Sequence, residues 1–203
     1  MLKIIALITM ILDHIGLFWN INWLRIVGRL SFPIYCFLIT KGIKKTKNIK
    51  QYMIRILILA IISQCIWQYM GYSILNVLFT YFLFIQLIYF LKNKNNIMAS
   101  LIFLICILAS PILDYGFYGF ALLVIFYYTD DKLLRFILMF ASSIYFVDVG
   151  LLNIISFVAL ISIFIIDKYD KDKYYKKYKK YNKLIYWMYP VHLMLLFELH
   201  KLF

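Results

Sequence analysis

The sequence predicts an all-α, polytopic transmembrane helix bundle of about nine helices, and three observations carry that prediction. Of the 203 residues, 65% are hydrophobic and 15% charged, against about half and about a quarter in a soluble domain. Apolar runs of about 15–20 residues follow one another along the chain, each close to the length that crosses a hydrocarbon core. The basic residues gather between those runs, in every second connection.

A crossing takes about 20 helical residues, so the runs use nearly all of residues 1–203, which read as a single integral-membrane domain. The run 4–20 follows Lys3 and contains Asp13 and His14; lacking a small-x-small cleavage pattern, it reads as retained rather than as a signal peptide. The run 24–42 opens with Arg25 and Arg29, contains Pro33, and closes on Lys41, Lys44, Lys45, Lys47 and Lys50. The run 52–70 holds Gln64 and ends at Met70-Gly-Tyr72, and 73–91 begins around Asn76 and ends at Lys92 and Lys94. The run 97–112 ends at Leu113-Asp-Tyr115, and 115–129 ends at Asp130, Asp131 and Lys132. The run 133–148 ends at Asp148-Val-Gly150, and 151–166 enters a segment from Asp167 to Lys183 with eight Lys and three Asp. The last run, 184–202, holds Pro190 and His192. Basic connections alternate with connections such as Asn20-Ile-Asn22 that contain no Lys or Arg, so the positive-inside rule places the N-terminus in the cytoplasm and the C-terminus outside.

The net charge of +13 would suggest nucleic acid on a soluble fold. Here the charge separates apolar runs, so lipid headgroups are the expected partner and nucleic acid is not. Cys36, Cys65 and Cys106 lie far apart inside runs, without metal or redox spacing, and read as reduced packing residues. No metal site, phosphate loop, dinucleotide fingerprint or nucleophile elbow is legible.

A charged side chain in mid-bilayer costs at least ~2.5 kcal/mol, so each intramembrane polar group calls for a reason. Projected through the nine-run topology, Asp13, His14, Arg29, Gln64, Asn76, Asp114 and His192 fall at one depth, in the outer half of the membrane. Asp13 belongs to a helix stripe with Ala6, Thr9, Gly16 and Asn20, a small and polar face suited to close packing. His14 is rotated about 100° from it, so Asp13 is poorly placed to orient the imidazole. A partner from another run, such as Asp114, fits better. An Asp13–Arg29 pair locking the first two runs is the structural alternative to a role for either residue in chemistry, and Arg25 reads as snorkelling to the headgroups.

Several segments together resemble the TraX family. They are Lys3-Ile-Ile-Ala-Leu-Ile-Thr-Met-Ile-Leu-Asp13-His14-Ile-Gly16, Gly28-Arg29-Leu-Ser-Phe-Pro33 with Phe37-Leu-Ile, and Leu75-Asn76-Val-Leu-Phe-Thr80, followed by Asp114-Tyr-Gly116-Phe-Tyr-Gly119 and Tyr189-Pro190-Val-His192-Leu. They occur in family order over nearly the whole chain. The resemblance implies a bacterial plasma-membrane acyltransferase that carries an acetyl group from acetyl-CoA to a peptide, glycan or lipid acceptor. It needs no metal.

The residues suit that chemistry. An acceptor amine or hydroxyl needs a base, and a histidine with an ordinary pKa of ~6.5 suits the work, which points to His14. A developing oxyanion needs donors or positive charge, for which Arg29, Gln64 and Asn76 are candidates, while Asp13, Asp114 and His192 shape the site. Lys41, Lys44, Lys45 and Arg55 line the cytoplasmic side, where the donor's phosphates would be held. Two other classes use the same residues differently: a proton-linked small-solute transporter relaying through Asp13, His14 and Arg29, and a non-catalytic accessory or immunity protein.

Overall fold

The computed structural model describes residues 1–146, 152–170 and 182–202. Among them the chain is all-α. The helices are α1 (Leu2–Phe18), α2 (Asn22–Gly28), α3 (Ser31–Lys45), α4 (Ile49–Tyr69), α5 (Val77–Lys92) and α6 (Asn96–Leu108). After a 3₁₀ turn (Ser110–Ile112) come α7 (Gly116–Tyr128), α8 (Lys132–Phe146), α9 (Leu152–Asp170) and α10 (Asn182–Leu202). Each apolar run of the sequence is matched by a helix, the second by α2 and α3 together. The expected connection at Asp148-Val-Gly150 and the core of the Lys/Tyr-rich stretch, 171–181, lie outside the described residues.

Polar residues set the starts of several helices. Asn48, Asn76 and Asn95 each accept a backbone N–H near the start of α4, α5 and α6, from Gln51, Leu78 and Met98 respectively, which satisfies one otherwise orphaned donor per helix. Pro33 falls in the first turn of α3, where its missing N–H costs no intrahelical bond. Arg29 and Leu30 make only a brief turn, so α2 and α3 run nearly as one.

Side-chain contacts sort the helix ends into two groups. At one end, Lys201 of α10 donates to the Tyr69 hydroxyl of α4 at 2.8 Å, and His200 stacks on Phe18 of α1. The segments 70–76 and 109–115 are clipped together there by a parallel bridge between Leu75 and Leu113. At the other end, Lys44 of α3 meets Asp130 after α7 at 3.3 Å, and Lys132 of α8 meets Asp167 of α9 at 3.7 Å. The Tyr52 ring of α4 lies on Gly42 of α3 at that same end. With α2 and α3 taken as one, these contacts set successive helices from α1 to α7 in opposite directions.

The core between them is apolar and aromatic, with Phe37, Phe84, Phe126, Ile34, Leu122 and Ile163 fully enclosed. The outside is apolar as well. Helix α6 buries only Ala99, Ile102 and Cys106 and turns Leu101, Phe103, Leu104, Ile105 and Leu108 outward. Helices α4, α8 and α10 likewise expose Ile58, Ile137 and Leu195. A water-soluble monomer rarely shows contiguous apolar patches of such extent.

Length separates the helices. By length and composition, Asn22–Lys45 and Ile49–Tyr69 are able to cross a membrane, while Val77–Lys92, Asn96–Leu108 and Gly116–Tyr128 are apolar but shorter. The 13 residues of α6 rise only ~20 Å. The expected runs overcounted helical residues because their ends form turns: Tyr72–Asn76 is not helical, and Ser110–Ile112 is a 3₁₀ turn.

Two glycines allow α1 and α2 to touch. A Cβ on Gly28 would sit 2.3 Å from the Cβ and 2.5 Å from the Cα of Asp13, and one on Gly16 would sit 2.8 Å from the backbone N of Arg25. Because the obstacles include backbone, Gly28→Ala forces the helices apart. It is expected to cost about 3 kcal/mol, the upper part of the usual range for overpacking, read as a lower melting temperature in detergent. A variant that melts with wild type would disprove the close approach.

Candidate functional site

The polar residues singled out from the sequence do converge, at the end of the bundle that holds the 70–76 and 109–115 connections. Asp13 and His14 sit in the C-terminal half of α1, Arg25 on α2 and Arg29 at its C-terminal end, and His192 on α10. Asp13, His14 and His192 are buried, and Arg29 is nearly so.

The partner of His14 is His192, not Asp114. Nε2 of His192 lies 2.9 Å from Nδ1 of His14, with ring centroids 4.9 Å apart and planes tilted by 49°. On the far side, Nδ1 of His192 lies 2.6 Å from the backbone carbonyl of Met188, one turn earlier in α10. Among the described residues no hydrogen bond joins His14 to Asp114, whose N–H donates to the Leu75 carbonyl at 2.8 Å, while the Leu75 N–H donates to Ile112 at 2.7 Å.

Asp13 serves the arginines instead. Its carboxylate lies 3.7 Å from Arg25 and 3.9 Å from Arg29, which makes Arg25 part of the cluster rather than a snorkelling side chain. Gly28 brings the Asp13 backbone close enough to α2 for both pairs. Arg29 also donates from Nη1 to the Tyr115 hydroxyl at 2.8 Å. Tyr115 in turn stacks on Phe32, with centroids 3.7 Å apart and planes 8° from parallel. Its backbone is left-handed at φ 62°, an uncommon conformation for a bulky residue that persists where surrounding contacts enforce it. Nε of Arg29 and Oδ1 of Asp13 are buried with no hydrogen-bond partner among the described residues. Such groups are costly to leave unsatisfied, and both are oriented within the same cluster.

Asn76 has a different task from the one expected. Its amide nitrogen donates to the Ala60 carbonyl at 3.0 Å and to Gln64 Oε1 at 2.9 Å, while its oxygen caps α5. Both amide hydrogens are engaged, so none remains for an oxyanion. Gln64 is similarly committed, to Asn76 and to the Ile74 carbonyl. Together the two amides hold the connection 70–76, and through Leu75 they hold Asp114 and Tyr115. They position the site from behind.

At the opposite end, Lys41, Lys44 and Lys45 occupy the last turns of α3, and Arg55 is exposed on α4. Sequence reasoning missed Arg135 there. It is buried beneath the exposed Asp130, which it meets at 3.1 Å alongside Lys44; it donates to the Thr129 carbonyl and lies over the Phe37 and Phe126 rings. The available signal was an arginine inside an apolar run, a position that calls for a partner or a function. Tyr115 was missed too, because a tyrosine between Asp114 and Gly116 shows nothing locally about an arginine 86 positions away. No group of His, Cys, Asp and Glu among the described residues has the makings of a metal site.

An all-α bundle with apolar outer faces and an enclosed His–His pair beside an Asp–Arg–Arg–Tyr cluster defines a class: helical proteins with a buried polar centre in an apolar shell. The family follows from comparison. The TraX protein family matches residues 1–200, and the chain belongs to it. A probable fimbrial assembly protein FimC, serogroup H1, of Dichelobacter nodosus is 37% identical over 75 residues, which cover 34% of this chain and 31% of that protein. The aligned stretch thus spans about a third of that relative's length. No solved structure matches.

Proposed function

We propose that this chain is a multi-pass protein of the bacterial plasma membrane that transfers an acetyl group from acetyl-CoA to an amine or hydroxyl acceptor. The observation that carries the reading is the buried His14–His192 pair beside Arg29, a base next to a cation where a thioester carbonyl would develop negative charge. In this scheme the acceptor nitrogen or oxygen attacks the thioester carbon as His14 takes its proton. Arg29, with Arg25 behind it, faces the oxyanion. When the intermediate collapses, the C–S bond breaks, the electron pair leaves on sulfur, and His14 returns the proton to the thiolate. The cytoplasmic group of Lys41, Lys44, Lys45 and Arg55, with Arg135 added, would hold the donor's phosphates. The acceptor, a peptide, glycan or lipid, would meet the acetyl group in the outer half of the membrane.

Purified protein in lipid nanodiscs, given acetyl-CoA with labelled acetyl, should release free CoA and transfer label to an acceptor present in membrane extracts. No transfer and no hydrolysis would sink the enzyme reading. Solute flux into vesicles in that case would favour the transporter reading of the same charges.

The membrane arrangement belongs to the same proposal. Apolar faces such as that of α6 support a hydrocarbon surround, and the basic connections support a cytoplasmic N-terminus. In a cysteine-free background, single cysteines at Thr46, Asn93 and Lys176 should stay shielded from an impermeant thiol reagent in intact cells, while one at Ile21 should react. Reaction at position 176 from outside would overturn the nine-crossing arrangement.

A further inference from the structure

We infer that His192 is a positioning residue that holds His14 in its Nδ1–H tautomer, so that Nε2 of His14 is the lone pair presented to the acceptor. Two distances carry this. Met188 offers only a carbonyl oxygen at 2.6 Å, so Nδ1 of His192 must donate to it. A neutral imidazole has one N–H, so Nε2 of His192 is left as an acceptor. That acceptor lies 2.9 Å from Nδ1 of His14, which must therefore supply the proton between them. The Met10 carbonyl, one turn earlier in α1, also accepts from the His14 ring; a neutral ring has a single N–H, so this carbonyl shares the Nδ1–H and the remaining nitrogen, Nε2, is bare.

The consequence is chemical. Neutral imidazole in water favours the proton on Nε2, the wrong nitrogen for a base that works through that atom. A chain running from the Met188 carbonyl through His192 to His14 reverses the preference before any substrate arrives. As Nε2 takes a proton, the Nδ1–H bond to His192 becomes charge-assisted and shortens. The contact with His192 engages only Nδ1, so the proton taken at Nε2 stays there, available to the leaving group, whichever of the two rings holds the shared proton. The catalytic meaning of this arrangement rests on His14 being the base; the tautomer assignment does not.

The chain contains three histidines, His14, His192 and His200, so nitrogen NMR of histidine-labelled full-length protein in bilayers can resolve them all. Single Gln replacements assign the signals. At neutral pH, His14 and His192 should both show a protonated Nδ1 and a bare Nε2. His192→Leu leaves His14 only the Met10 carbonyl and should let part of the ring pass to the Nε2–H tautomer, and His192→Gln, whose oxygen can stand where Nε2 stood, should restore the Nδ1–H form. A bare Nδ1 on His14 in wild type, or a doubly protonated ring on either residue, would overturn the assignment without any variant being needed. The expected spectrum in a protein that transfers no acetyl group would leave the tautomer chain standing and remove the acyltransferase reading alone.

Discussion

His14→Gln is expected to lower acetyl transfer by about 10²–10⁴-fold, the usual worth of a positioned general base, while the folded protein still binds donor. Glutamine can keep a hydrogen bond to His192, at the 2.9 Å contact, but it cannot take the acceptor's proton. The contrast with His14→Ala separates chemistry from packing. If the imidazole only fills space between α1 and α10, Gln should be nearly silent, and Ala should chiefly lower stability by about 1–2 kcal/mol. If it is the base, both should lose transfer together. His192 supplies the comparison: on the proposed scheme loss there should be partial, because it would orient the reacting ring without exchanging a proton with the acceptor. Turnover of a real acceptor must be measured, and rates near wild type for His14→Gln would eliminate the base assignment.

Arg29→Lys should reduce kcat by about 10²–10³-fold, the magnitude lost when a single oxyanion donor is removed, with the donor's KM little changed. An ammonium keeps the charge but cannot reach Asp13, Tyr115 and a reacting oxygen from one fork of donors. Arg29 now meets Asp13 at 3.9 Å and the Tyr115 hydroxyl at 2.8 Å, so melting curves should accompany the kinetics. Tyr115→Phe removes the hydroxyl while keeping the stack on Phe32. It should lower kcat less than Arg29→Lys does, through a less firmly held guanidinium. Arg29→Lys with an unchanged kcat would return the arginine to a structural pair with Asp13.

The helices were legible from the sequence because their cause is local. Nine apolar runs of the right length place the helices within a few residues, with α2 and α3 read as one, and Asn76, read as the beginning of its run, caps α5 by a hydrogen bond. Antiparallel succession also follows from short connections. With the helices and their directions in hand, the gathering of Asp13, His14, Arg29, Asn76, Asp114 and His192 toward one end follows from position along each helix.

Which of these residues touch was decided by tertiary structure. Reading along the chain paired His14 with Asp114 and gave Asn76 to an oxyanion. In the fold, His14 meets His192 across 178 positions, and Asn76 is bound to Gln64 and Ala60. Sequence sets a residue's depth along its helix. Contact depends also on how each helix is rotated and how closely its neighbour approaches, and those are settled by packing on all sides. Gly28 shows the cause in one place: without a side chain there, α2 rests on the backbone of Asp13 and both arginines come within reach of its carboxylate. Tyr115 shows it in another, since a left-handed residue pinned between Phe32 and Arg29 exists only once α3 and α7 have docked.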